Sequence, residues 1–276
     1  MKLLTPNVEY NETITLAENI SGNYEKQVTF HCYWNGDLND KQLYSILSCY
    51  YFNVLNKKHK IILWLENNIP NNYNKEIEKY AEIKYFSIND ELKNLFFCNK
   101  INIYNSRPSY YSDVVRYILL YKYGGCWFDL DCLFLRSFDP LFHNFEDHIC
   151  VYQWENQNYP NGAIYISLEP FSEKMKNIIE FIIENNRGWG FQEAQLTYNL
   201  PLDMLVLPCS WFDPGWLRTP YRLGPKKFFI DHEKDITFEE FHPGVFCYHW
   251  HGKWKEDIHE NSILRQLIKI IEKNIK

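Results

Sequence analysis

The stretch YSDVVRYILLYKYGGCWFDLDCLFL, residues 111–135, sets two Asp residues inside an apolar run and an Asp–Arg pair just ahead of it. Asp129 and Asp131 are one residue apart, so on an extended chain both carboxylates project from the same face and can meet where the strand frays into a loop. Like charges that approach in an apolar setting repel and lose hydration, unless a cation sits between them. An all-oxygen pair selects a hard ion, Mg²⁺ or Mn²⁺, which commonly shares its coordination with substrate phosphates. Asp113 and Arg116 are three residues apart in a helical pattern and therefore share one helix face. A guanidinium held by a carboxylate can grip hydroxyls and a diphosphate. Together these types and spacings point to a nucleoside diphosphate ligand held through a metal. Each half alone has a plainer reading, a solvated ion pair and a loop-edge Asp pair without metal. Their combination in one stretch favours the site.

The elements around this stretch must bring the groups together. QVTFHCYW (27–34) reads as a buried strand, KQLYSILSCYYFNVL as a helix with apolar residues at Leu43, Ile46, Leu47 and Tyr50, and KIILWLE (60–66) as a second buried strand. A short helix at 75–80 and a strand near 83–86 complete a βαβαβ run, which implies an α/β fold with a mostly parallel sheet and flanking helices. In the key stretch, Ser109 or Ser112 can cap a helix whose core face is Val114, Val115, Ile118 and Leu119, and Gly124-Gly125 ends it. CWFDLDCLFL is expected as one further strand. HICVYQW, GAIYISL and DMLVLP follow as strands, SEKMKNIIEFIIENN as an amphipathic helix, and GVFCYHWHGKW as a late strand running into a turn. Residues 1–26 read as an extended arm and 258–276 as a terminal helix, the whole of 1–276 as a single domain.

The stretch SDVVRYILLYKYGGCWFDLDCLFL resembles the signature of glycosyltransferases with a DXD sugar-binding region, a group that includes yeast-type α-mannosyltransferases, capsular-polysaccharide transferases and the glucosylating domain of large clostridial toxins. Trp127 replaces the usual Tyr. The resemblance implies a GT-A fold, Rossmann-like, and transfer of a sugar from a nucleotide sugar with retention of configuration. It implies that Asp113 and Arg116 contact the donor sugar and its phosphates, that Asp129 binds ribose and sugar hydroxyls, and that Asp131 ligates the metal. FHCYWNGD (30–37) matches the family's first strand, with Trp34 in the place of the residue that stacks on the base. YHWHGKW (248–254) fits a closing turn of the type H-x-x-G-S-W, with Lys in place of Ser. His249 is the better metal candidate by spacing and His251 stands close behind; neutral imidazole suits Mn²⁺. Lys253 and the Trp254 indole would face the leaving diphosphate. Asn161, in NGAIYIS, matches an Asn placed beside the reacting sugar. Should transfer invert instead, Glu155, Glu193 and Asp213 are the available carboxylate bases.

Composition narrows the function classes. A net charge of −6 over 276 residues leaves no general footprint for nucleic acid. The apolar fraction of 46% argues for a packed core and against disorder. Eight cysteines without a CxxC pair read as reduced thiols. No apolar run reaches ~18 residues and no basic-then-apolar leader opens the chain, so an intracellular, soluble, cytoplasmic protein is expected. The expected partners are a nucleotide sugar, UDP-linked first and GDP-mannose second, and a glycan or protein acceptor. Two rivals remain: a haloacid-dehalogenase-like phosphatase, because FDLDCLF resembles that family's nucleophile strand, and a non-catalytic carbohydrate-binding scaffold.

Overall fold

Strands with no polar alternation must be covered on both faces, and TFHCYW and KIILWL have none. In the computed structural model, which describes residues 10–66, 72–100, 108–153, 160–185, 204–216 and 225–275, they become β1 (Thr29–Trp34) and β2 (Lys60–Leu65), buried along almost their whole length. The remaining strands are β3 (Glu82–Tyr85), β4 (Gly125–Phe128), β5 (Cys132–Phe134), β6 (Ile149–Gln153), β7 (Pro160–Ser167), β8 (Met204–Pro208) and β9 (Cys247–His249). The helices are α1 (Tyr10–Asn19), α2 (Asp40–Asn53), α3 (Asn74–Ile77), α4 (Ile88–Leu92), α5 (Pro108–Tyr123), α6 (Asp139–Asn144), α7 (Glu173–Asn185) and α8 (Ile263–Ile275).

Seven strands form one sheet in the order β3-β2-β1-β4-β7-β6-β8, and β5 pairs with β9 in a separate two-stranded ribbon. Only β7 runs against its neighbours, so the sheet is mostly parallel. Alternation sends Phe30, Cys32, Cys126 and Phe128 to one face, under α2, and Tyr33, Trp127 and Tyr165 to the other, under α5 and α7. A third cluster joins α8 to α2 through Leu47, Leu264, Leu267 and Ile268. Helix α2 starts on a capping box in which Asn39 and Gln42 satisfy each other's main-chain N–H groups. All eight cysteines are free thiols, seven of them buried. Gly125 (φ 113°) lies against β1, where a Cβ would stand 2.2 Å from the Thr29 carbonyl oxygen. Only glycine lets α5 turn this directly into β4.

Four expectations change. The single strand over CWFDLDCLFL is two: β4 ends at Phe128, the chain turns through 129–131, and β5 starts at Cys132 in the other sheet. The strand breaks because β4 pairs with β1 and β7, whereas the residues after Asp131 pair with β9. The expected extended arm over 1–26 contains a helix, α1, whose Ala17 is fully buried. Arg136 donates to the Ala17 and Ile20 carbonyls at the end of α1, supplying acceptor-rich main chain with a cation. Helix α5 begins at Pro108, so Ser109 and Ser112 stand inside its first turns, with a proline at the opening position. The terminal helix likewise begins at Ile263 rather than 258.

Two buried histidines make stability depend on pH. His31 Nδ1 accepts from the Trp64 indole N–H at 3.1 Å and its Nε2 donates to the Gly124 carbonyl at 3.0 Å. Burial lowers the pKa of His31, and of His242, to about 4. A folded-state pKa below the unfolded 6.5 means that the unfolded chain binds the extra proton first. The contribution is therefore complete above pH 6.5 and is lost as pH falls towards 4, by about 3 kcal/mol for each histidine. Urea midpoints measured from pH 7 to pH 4 should fall accordingly, and His31→Asn should flatten part of that slope; a profile identical to the parent's would remove His31 as the cause.

Candidate functional site

Parallel strands present ligands at their carboxyl ends, beside the loops that follow them. Here β1 ends at Trp34 and β4 ends just before Asp129. Between them, the first turns of α5 and the segment after β9 enclose a cleft of about 320 Å³ lined by Trp34, Ser109, Ser112, Asp129, Asp131 and Trp254 among others. A larger hollow of about 630 Å³ lies at the opposite end of the sheet. Lys26 there pairs with Glu146 and Lys174 donates to the Asp147 carbonyl, and none of the predicted residues lines it. The smaller cleft holds the chemistry.

The Asp113–Arg116 pair is internal. Arg116 is 2% exposed, its Nη2 lies 3.1 Å from Asp113 Oδ1 and 3.4 Å from Asp129 Oδ1, and its guanidinium sits 5.3 Å from the Trp127 ring centre. The Trp127 indole N–H donates to Asp129 Oδ1 at 2.7 Å. Arg116 thus ties α5 to the turn after β4 and sets the angle of Asp129, from behind the cleft wall. Its Nε and Nη1, both buried, have no hydrogen-bond partner among the described residues. Burial raises the Asp113 pKa to about 6, against the attraction of Arg116. Burial likewise pushes Asp129 up, opposed by Arg116 and reinforced by Asp131.

The antiparallel ribbon delivers the second half. Its register places Cys132 opposite His249, so Asp131 and His249 meet: His249 Nε2 is 3.1 Å from Asp131 Oδ2. Gly252 N–H donates to the same oxygen at 2.6 Å, and Trp250 N–H donates to the Asp131 carbonyl at 2.9 Å. The chain can aim both N–H groups because His251 and Gly252 take left-handed backbone (φ 57° and 58°). His249 Nδ1 contacts the Tyr152 hydroxyl at 2.9 Å. His251 Nε2 lies 2.8 Å from Asp213 Oδ2, and the two imidazole centres are 3.9 Å apart. Burial acts to lower the His249 pKa, but the charge of Asp131 and their hydrogen bond dominate and raise it to about 9. Burial would raise Asp131, yet His249 and the Gly252 N–H outweigh it, leaving Asp131 below its usual value.

His251 lies beyond the strand, which ends at His249, and the left-handed turn brings the two rings together. Trp34 and Trp254 pack edge to face at 4.8 Å on the cleft wall, and the Trp34 indole N–H is taken by the Asp37 carbonyl. Lys253 is half-buried between Gly252 and Trp254, with its carbonyl accepting from Lys41 Nζ. Asn161, at the start of β7, uses its side-chain oxygen to accept from Ala163 N–H at 2.7 Å, and the Ala163 carbonyl accepts from Asp129 N–H at 2.8 Å. Glu155 and Glu193 lie outside the described residues. Asp213 was visible only as a possible base. The structure places it, fully buried, against both histidines. A carboxylate inside the apolar stretch WFDPGW was the available signal, the same one that singled out Asp129 and Asp131.

Asp213, His249 and His251 converge closely enough to hold a divalent ion, and Asp131 stands against His249. Residues 54–146 match the family model described as "Glycosyltransferase sugar-binding region containing DXD motif". Residues 54–146 are thus similar to a glycosyltransferase DXD region, on a GT-A fold. The match favours the transferase reading of FDLDCLF over the phosphatase one. Among curated proteins, inositol phosphoceramide mannosyltransferase 3 of Schizosaccharomyces pombe is 34% identical over 90 residues, spanning 29% of this chain and 25% of the relative. The matched part is thus about a quarter of that relative's length. Among solved structures, mouse xyloside xylosyltransferase 1 superposes with a TM-score of 0.51 at 14% identity, over 84% of this chain and all of that one. The WbbM bifunctional glycosyltransferase gives 0.52 at 10% identity, over 91% and 50%. At such identities these two structures speak for the GT-A fold alone. On that fold the DXD region is the turn 129–131, opposite the His249 ribbon.

Proposed function

We propose that this protein is a metal-dependent glycosyltransferase that moves a sugar from a nucleoside diphosphate donor to a hydroxyl acceptor, with the chain working as one domain. The observation that carries the reading is the meeting of Asp131 with His249 across the β5–β9 ribbon, on the wall of a cleft that also holds Asp129, Trp34 and Trp254. Asp131, His249 and, through its proximity, Asp129 would hold a Mn²⁺ or Mg²⁺ ion. Bound there, the ion supplies charge for a diphosphate leaving group.

The chain's own groups do the rest by position. Trp34 and Trp254 offer apolar faces to the nucleoside. Ser109 and Ser112 present hydroxyls at the mouth of α5. Arg116 keeps Asp129 turned towards the cleft, so that its second oxygen remains open to ribose or sugar hydroxyls. The Lys253 ammonium and the Trp254 indole N–H neutralise charge that develops on the departing phosphate. Asn161, beside Asp129 at the sheet edge, orients the transferred sugar. Retention of configuration follows from the family resemblance, and Asp213, engaged by both histidines, is poorly placed to act as an inverting base.

UDP-sugars are the first donor class, by analogy with the base-stacking aromatic at position 34. GDP-mannose is the second reading, favoured by the mannosyltransferase name of the Schizosaccharomyces pombe relative. No helix among the described residues is long and apolar enough to cross a membrane. Glycan or protein hydroxyls are the acceptor class of this reading. Trp34 and Trp254 provide the assay. Titrating UDP-glucose, UDP-galactose and GDP-mannose with Mn²⁺ should quench tryptophan fluorescence saturably for one nucleotide, with donor turnover in the presence of acceptor. Trp34→Ala should weaken that nucleotide by about tenfold, roughly 1.4 kcal/mol for a lost stacking face. Absence of metal-dependent quenching and turnover for every sugar nucleotide would leave the scaffold reading in its place.

A further inference from the structure

The DXD turn accounts for Asp129, Asp131 and His249, but not for the second carboxylate and second imidazole packed behind them. Asp213 follows the turn after β8, and its side chain is fully buried. Its Oδ1 and Oδ2 lie 2.9 and 2.8 Å from His251 Nε2, and Oδ2 is 3.8 Å from His249 Nδ1. One ligand atom from each of Asp213, His249 and His251 falls within 4.8 Å of the other two. Reaching this arrangement puts His251 into left-handed backbone at φ 57°, a region that residues with side chains seldom adopt. The same turn frees Gly252 N–H for Asp131, so the two carboxylates are served from one bend in the chain.

We propose that Asp213, His249 and His251 form a divalent-cation site that fills in the absence of nucleotide and prefers a borderline transition ion, Mn²⁺, Co²⁺ or Zn²⁺, to Mg²⁺. The selectivity follows from ligand type. The DXD oxygens alone suit Mg²⁺ and Mn²⁺ equally as hard ions that keep several positions for phosphate. Two imidazole nitrogens and one carboxylate make a set that Mg²⁺ accepts poorly and borderline ions accept well. Occupancy without nucleotide follows from ligand type: the ion of the transfer reading takes one imidazole with carboxylates and keeps positions for phosphate, whereas here two imidazoles and a carboxylate already converge on one spot. His249 belongs to this group and also faces Asp131, so an ion held here lies beside the DXD turn. The inference goes beyond the transfer reading and requires no turnover.

Calorimetric titration of the full-length chain with MnCl₂, ZnCl₂ and MgCl₂ alone tests it, with no nucleotide present. Expected are one Mn²⁺ or Zn²⁺ ion per chain, Mg²⁺ weaker by at least about tenfold, and a loss of about 10–100-fold for Asp213→Asn and for His251→Ala. Thermal melts identify a variant that fails to fold, and the less buried His251→Ala then carries the test. Wild-type protein that takes up no ion without nucleotide, or that binds Mg²⁺ as tightly as Mn²⁺, overturns the proposal. So do folded variants that bind like the parent. Metal-dependent binding of a sugar nucleotide, measured separately, distinguishes the two readings: its presence with no uptake of metal alone sinks only the site, and its absence with metal bound sinks only the transferase.

Discussion

Asp131→Asn should reduce sugar transfer by about 10³-fold or more, equivalent to about 4 kcal/mol in the barrier, while the chain stays folded. The substitution keeps the size of the side chain and removes only the charge. In the parent, Asp131 Oδ2 takes the Gly252 N–H at 2.6 Å and faces His249 Nε2 at 3.1 Å, and its main-chain carbonyl is held independently by Trp250 N–H. An amide oxygen can keep the Gly252 contact and the backbone contact is untouched, so the turn should persist. What disappears is the anionic group that the transfer reading assigns to the metal, and the partner that keeps the His249 pKa near 9. In the metal-free protein the His249–Asp131 attraction contributes stability that is complete below pH 6.5 and is lost as pH rises towards 9, because the folded pKa is the higher one. The variant should therefore lose the stability advantage of the parent at pH 6 and approach it at pH 9. Initial rates at saturating Mn²⁺, paired with circular dichroism, make the measurement. Parent-like turnover would remove Asp131 from the metal.

Arg116→Ala should cost about 3–5 kcal/mol of folding stability, the usual result of removing one partner from a buried charge group. The guanidinium is the cation shared by Asp113 and Asp129, and its face covers Trp127. Its loss removes the guanidinium that the two carboxylates share and opens a void over the indole. The cost should depend on pH in a defined direction. Asp113 titrates near 6 in the parent, already raised by burial. Without Arg116 it rises further, so below pH 6 the carboxyl is neutral and the penalty shrinks, whereas at pH 8 it is complete. Arg116→Lys should recover only part of the loss, since an ammonium cannot reproduce the planar contact with Trp127. Urea midpoints of the three proteins at pH 5.5 and 8 give the answer. A pH-independent deficit would show that lost packing alone, and no uncompensated charge, is responsible.

The arrangement also explains why one short stretch carries so much of the identity. Residues 111–135 supply a helix face, a glycine turn, a buried strand and the DLD turn in unbroken order. Local periodicity, glycine conformation and carboxylates in apolar company are all properties of neighbours in the chain. They are therefore readable without a structure. The same holds for β1, α2 and β2, whose apolar spacing predicts their type, and for the H-x-x-G-x-W pattern at 249–254.

Properties that depend on which distant segments pair were out of reach. The division of CWFDLDCLFL into β4 and β5 is made by competition between two sheets, since β1 and β7 claim residues up to Phe128 and β9 claims those from Cys132. The α1 helix is held by Arg136 and by burial of Ala17, contacts supplied from elsewhere in the chain. Asp213 gave no spacing signal because it is brought to His249 and His251 from another element, across a gap in sequence that no local period spans. Side-chain types and short-range order thus determined most of the elements, the DXD motif and the ligand class that the transfer reading rests on. Only tertiary packing decided that Arg116 stands behind the cleft, that Asp213 joins the histidines, and where the carboxylates meet, because convergence of charges depends on long-range pairing and local pattern carries no record of it.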